Sequence, residues 1–308
     1  MKVLRQLAQF VRHLPGIEAQ ERLWQLLRRP YHWILNSGGS GVQVLVGGMS
    51  RVRMPAELSG AFWEQYEPET VAALVGWLRS HPGGRVLDVG SSLGILSAVA
   101  LFSDPEAEVV AFESDLASVA AAKRMCQYAP GRRLQLVYGF LSDLPTEVTP
   151  LASAIAATEA ELARAGTRGE VGTTRFACLA DLRPDSPPAR RLDDLLAAEG
   201  SEGVGIRPTL LKCDVEGAEL LVLRGAADFL RRARPELLLS VHPPALPTYG
   251  HSRDEVETFL KALNYEIHFL AADHEEHWWC EVKQKLGMED PAALGELRSL
   301  EAPMAGHY

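Results

Sequence analysis

Residues 85–100 constrain the fold of this chain more than any other stretch. Arg85, Val86, Leu87, Asp88 and Val89 make an apolar, β-branched run carrying one acid, Gly90 and Gly94 bracket a short loop, and apolar residues resume at helical spacing from Ile95 to Ala100. The pattern predicts strand, tight loop, helix. That is the opening unit of a doubly wound α/β domain, in which ligands sit beyond the carboxyl ends of the strands. A second apolar run, Val109, Val110, Ala111 and Phe112, ends in Glu113 and Ser114. A carboxylate at the tip of the second strand is where a nucleoside ribose is gripped.

Loop spacing discriminates between nucleotides. A dinucleotide site uses G-x-G-x-x-G, whose middle glycine lets a pyrophosphate approach the backbone. Here Ser92 holds that position and the pattern reads Asp88-x-Gly90-x-x-x-Gly94, with Ser91 beside Ser92. A ligand with a nucleoside but no phosphates fits better, with Asp88 and the loop amides near its cationic end. S-adenosylmethionine has that shape. The competing reading is an ordinary β-α turn with two glycines. A third strand is expected over residues 134–138, followed by Phe140 and Leu141 as an apolar wall for adenine. Asp143 reads either as a partner for the adenine amino group or as a turn residue. Tyr66 and Glu67 precede Pro68 at a helix start and would lie near the nucleoside loop.

At 308 residues, 47% of them hydrophobic, the chain can bury a large core. Its net charge of -9, from 31 basic and 40 acidic residues, argues against general nucleic-acid binding, which neutralises phosphates with Lys and Arg. Cys126, Cys178, Cys213 and Cys280 lack a C-x-x-C pair, so neither a disulfide framework nor a zinc knuckle is suggested. No run of apolar residues is long enough for a membrane span, and Arg5, Gln6, Gln9 and Arg12 interrupt any signal-peptide core. A cytoplasmic location is the expectation. Residues 1–65 form an N-terminal extension: two basic amphipathic helical stretches that dock on the domain, on a second copy of the chain as a homo-oligomer, or on a membrane, then a hairpin turning at Gly47 and Gly48. Residues 66–285 form the main domain and 286–308 a C-terminal tail.

Residues 145–190 break the alternation of strand and helix. A helix is expected over 151–165 and an extra strand over 173–178, and the insertion reads as a substrate lid or as a surface excursion. Alternation resumes with Thr209, Leu210, Leu211, Lys212, Cys213 and Asp214, a strand whose terminal acid should face Asp88 across the crevice. Glu216 and Glu219 follow in the first turn of a helix, where the macrodipole favours acids. A fifth strand ends in His242, and a closing hairpin turns at Asp273, His274, Glu275, Glu276 and His277. That cluster resembles a metal site, but its place in a turn is read as a solvated charge run.

These motifs together resemble the FkbM-type family of S-adenosylmethionine-dependent methyltransferases. Tyr66-Glu67-Pro68, Leu87 to Gly94, Phe112-Glu113, Leu141-Ser142-Asp143 and Arg191 to Leu195 carry the likeness, with Lys212-Cys213-Asp214-Val215-Glu216-Gly217-Ala218-Glu219 and Leu223-Arg224-Gly225-Ala226 its most specific part. The resemblance implies an α/β, Rossmann-like class I methyltransferase fold: a seven-stranded, mostly parallel sheet with the last strand antiparallel. It also implies methylation of a hydroxyl on a small molecule such as a sugar or natural product. Ser91-Ser92 replace the family's usual Ala-Asn, and Ser240-Val241-His242 replaces its Glu-x-His, removing an acid near the reaction centre.

Methyl transfer needs the acceptor oxygen aligned and its proton removed. His242 is the candidate base and Asp214 its orienting group or a cofactor contact. The same two residues would supply a divalent metal with only two ligands, too few to establish one. Two rivals stand beside the enzyme reading. One is a nucleotide-dependent oxidoreductase, disfavoured by Ser92; the other is a non-catalytic binding module on the same fold.

Overall fold

The computed structural model describes residues 41–131, 133–165, 187–197 and 207–283. The N-terminal helical stretches, the strand expected over 173–178 and the C-terminal tail lie outside the described residues. The described chain opens with the expected hairpin, β1 (Val42–Val46) paired antiparallel with β2 (Ser50–Met54). After a 3-10 turn at Trp63–Gln65, α1 (Pro68–Ser80) begins with its proline in the first turn, where a missing N–H costs nothing. Then β3 (Arg85–Val89), α2 (Ile95–Ser103), β4 (Glu108–Glu113), α3 (Leu116–Met125) and β5 (Leu134–Tyr138) alternate as the apolar spacing predicts.

A two-residue strand β6 (Phe140–Leu141), helix α4 (Leu151–Ala165), a matching strand β7 (Ala189–Arg190) and α5 (Leu192–Ala197) fill the irregular segment. The remainder is β8 (Thr209–Asp214), α6 (Glu219–Gly225), α7 (Ala227–Ala233), β9 (Glu236–Val241), α8 (Arg253–Ala262), β10 (Tyr265–Ala272) and β11 (Glu276–Val282). The central sheet has seven strands in the order β10-β11-β9-β8-β3-β4-β5. Strands β9, β8, β3, β4 and β5 pair in parallel, and β11 runs antiparallel to both of its neighbours. This is the expected seven-stranded sheet with its last strand reversed.

Side-chain alternation splits the core into two layers. Leu87, Val89, Val110 and Phe112 point to one face, covered by Leu192 and Leu195 of α5, Leu223 of α6 and Leu260 of α8. Val86 and Val109 point to the other, covered by Leu74 and Leu78 of α1, Val99 and Leu101 of α2, and Val52 and Met54 of the hairpin. The hairpin therefore shares the core of the main domain. All five residues of β3 are buried because both faces of a central parallel strand are covered.

Helix α4 takes up the edge of the sheet. Leu151 and Ala154 join the first core layer, and Thr158 Oγ1 accepts from Tyr138 N at 2.8 Å, satisfying an N–H of edge strand β5. This part of the insertion is body rather than lid.

Candidate functional site

Strand order reverses between β3 and β8, since β4 and β5 lie to one side and β9, β11 and β10 to the other. Loops leaving two such strands diverge and open a crevice. A cleft of about 460 Å³ occupies this point, within the usual range for small-ligand pockets. The tips of β3 and β8 meet closely: Gly90 has φ of +72°, and a Cβ built on it would fall 1.7 Å from the carbonyl oxygen of Asp214. Only glycine fits that contact.

Beneath the loop, Lys212 Nζ donates to Gly90 O at 3.0 Å and lies 3.3 Å from Asp88 and 3.5 Å from Asp214. Burial alone would lower the lysine's pKa, but the charges of Asp88, Asp214 and Glu67 outweigh it and raise it. Asp88 also accepts from Ser97 Oγ at 2.5 Å and is 1% exposed. It supports the loop from below, and its side chain does not reach the cleft wall. Ser91 and Gly94 are likewise absent from that wall. Ser91 is buried; Gly94 precedes α2 in left-handed conformation, packed against Ala122.

The other sequence-predicted residues come together on the cleft: Tyr66, Glu67, Gly90, Ser92, Glu113 and Ser114 along one part, with Phe140, Leu141, Asp214 and His242. Glu113 is oriented by three backbone donors, Ser92 N at 2.8 Å, Ser114 N at 2.7 Å and Asp115 N at 2.9 Å. Oε1 takes two of these and also Ser114 Oγ at 3.3 Å, while Oε2 takes one and keeps acceptor capacity for a further hydroxyl. Phe140 stacks at 6.4 Å with Tyr249, from the loop after His242.

At the opposite end, His242 Nδ1 lies 2.7 Å from Glu219 Oε1, and Nε2 lies 2.7 Å from Glu275 Oε2 and 3.7 Å from Asp214 Oδ1. Burial would lower the imidazole's pKa, but hydrogen bonds to Glu219 and Glu275 and the charges of Glu219 and Asp214 prevail and push it up to about 10. Burial raises Asp214 to about 6 despite Lys212. Both ring nitrogens of His242 are thus engaged, and an imidazole so held has no free lone pair for a substrate proton. His242 and Asp214 both line the cleft at their strand ends.

The turn over residues 273–277 is the larger correction. Glu275 and His277 are 4% and 3% exposed; only His274 and Asp273 are open to solvent. Because β10 runs parallel to β9, the β10–β11 turn falls at the ligand edge of the sheet, a signal latent in the topology. Glu275 there restores an acid beside His242, while Ser240 Oγ lies 3.2 Å from His277 Nδ1. Glu219, read as a helix-start acid, is fully buried and bonds His242 and Gly217 N. Asp143 lies off the cleft wall.

Strand order, the switch-point cleft and the carboxylate at the tip of β4 define a class I methyltransferase fold. The model of the methyltransferase FkbM domain matches residues 88–267, and the chain belongs to that family. Solved structures with distant likeness include methyltransferase FkbM from Methylobacillus flagellatus KT (16% identity, TM-score 0.41, 69% of this chain and 52% of that chain). A precorrin-6y C5,15-methyltransferase from Geobacter metallireducens GS-15 is also similar (12%, TM-score 0.40, 75% and 94%). So is a methyltransferase from Geobacter sulfurreducens in complex with S-adenosyl-L-homocysteine (15%, TM-score 0.34, 65% and 65%). The chain spans about half the length of the Methylobacillus protein. No curated protein sequence matches it. Among the described residues, no helix is long and apolar enough to cross a membrane.

Proposed function

We propose that this chain transfers a methyl group from S-adenosylmethionine to a hydroxyl of a small molecule, such as a sugar or natural product. One observation carries the choice of cofactor. The described residues lining the cleft include Glu67, Glu113, Asp115, Asp214, Glu216 and Glu275, and no Lys or Arg. An anionic pyrophosphate would meet these six carboxylates and, as counter-charge, only the His242 imidazolium already paired with Glu219 and Glu275, whereas a sulfonium or ammonium would be attracted. This weighs against a dinucleotide oxidoreductase.

The residues fit the cofactor in kind. Glu113, fixed by three amides, would accept from a ribose hydroxyl through Oε2. Phe112, Phe140 and Leu141 would wall the adenine, and Gly90 keeps the loop low enough for close approach. When bound, the cofactor supplies an electrophilic methyl on a positively charged sulfur. Asp214, partly exposed at the acceptor end, would take the hydroxyl proton, and His242 fixes Glu275 beside it.

Calorimetric titration with S-adenosylmethionine and with NAD, on the wild type and on Glu113→Ala, tests the reading. Binding of the former, weakened in the variant, supports it. Binding of neither would leave a non-catalytic module.

A further inference from the structure

The geometry points to a divalent metal site formed by Glu67, Glu275 and His277, of the kind that takes Mn²⁺. One ligand atom from each residue lies within 4.8 Å of the other two. Metal bonds of about 2.0–2.2 Å bring such atoms to at most about 4.4 Å apart, so side-chain shifts of a few tenths of an ångström close the set.

The separate state of each side chain supports this. Glu275 is 4% exposed; its Oε2 pairs with His242 Nε2 at 2.7 Å, while its Oε1 lies 3.7 Å from both His274 Nε2 and His277 Nε2. Glu67 Oε2 is buried with no hydrogen-bond partner among the described residues, on a residue held at φ of +35° just before α1. Buried carboxylate oxygens normally find donors, so one left unpaired on a residue beside Glu275 and His277 is unusual. His277 supplies the nitrogen. Its Nδ1 lies 3.2 Å from both Thr70 Oγ1 and Ser240 Oγ. Its Nε2 approaches Asp273 and Glu275 only to 3.8 and 3.7 Å, beyond hydrogen-bond reach. A ring fixed through one nitrogen and open at the other is the arrangement of a metal-binding histidine.

Glu275 is also shared with Asp214 and His242. That set is the weaker candidate because both nitrogens of His242 are already engaged. Two carboxylate oxygens favour a hard cation, and the imidazole shifts preference from Mg²⁺ toward Mn²⁺. Glu67 and Glu275 line the cleft and His277 stands behind them. Coordination positions left open therefore face the acceptor end, where a bound ion would acidify a hydroxyl and ease the loss of its proton to Asp214. Only this last role rests on the proposed methyl transfer; ion binding does not.

The test is titration of the full chain, stripped with chelator and dialysed, with MnCl₂, following the free-ion signal by electron paramagnetic resonance. One ion per chain at micromolar affinity is expected. Affinity should fall tenfold or more in both Glu67→Gln and His277→Gln, with thermal unfolding confirming that each is folded, and should be unchanged in Glu216→Gln. Millimolar binding alone, or equal affinity in wild type and in whichever ligand variant folds, would overturn the site. S-adenosylmethionine titration without metal separates that failure from failure of the methyl-transfer reading.

Discussion

The ammonium of Lys212 lies 3.3 Å from the carboxylate of Asp88, two residues that are 4% and 1% exposed and that face each other across the β3–β8 register. The pair ties the strand tips together below the cleft, and the same ammonium holds the carbonyl of Gly90. Asp88 therefore shapes the cofactor loop without touching its ligand.

Breaking the pair should unfold the site. Lys212→Met leaves Asp88 charged and buried, which costs about 3–5 kcal/mol, read as a fall in denaturant midpoint. Adding Asp88→Leu should cost less than the sum of the two single changes. Additive losses would mean that the two groups do not interact.

Gly90→Ala tests the close approach of the strand tips. Its left-handed backbone alone costs about 1–3 kcal/mol in a non-glycine residue, and the clash with the Asp214 carbonyl adds to it. S-adenosylmethionine binding should be lost with stability; an unaffected variant would show that the tips are not in contact.

Thr158→Val examines whether α4 belongs to the domain body. The variant keeps the shape and removes the acceptor for Tyr138 N, so stability should fall by about 1–3 kcal/mol. An unchanged midpoint would detach α4 from the edge strand.

His242→Gln addresses the acceptor end. Loss of the clamp on Glu275 and of the positive charge beside Asp214 should lower turnover on the order of 100-fold through misplacement, while S-adenosylmethionine affinity, set near Glu113, stays close to that of the wild type. Equal losses in affinity and turnover would place His242 in cofactor binding instead.

Much of the architecture was legible because buried parallel strands write themselves as continuous apolar runs. The strands at residues 85, 108, 134, 209 and 236, and the helix at 151–165, follow directly from such runs and from breakers such as Pro150 and Gly166. Strand-terminal Glu113, Asp214 and His242 were equally visible, since a polar residue ending an apolar run falls at the ligand edge. Glu275 and His277 were not, because burial of a turn depends on what packs over it.

Local sequence thus determined the strands, the helices, the glycine at the switch point and the acids at strand tips, all consequences of periodicity and backbone sterics over a few residues. Tertiary structure alone decided the electrostatics. Residues far apart in the chain, Glu219, His242 and Glu275, converge within hydrogen-bond distance, and Asp88 meets Lys212 only through strand pairing. Charge state is set by neighbours and burial, and neither exists until the sheet has closed.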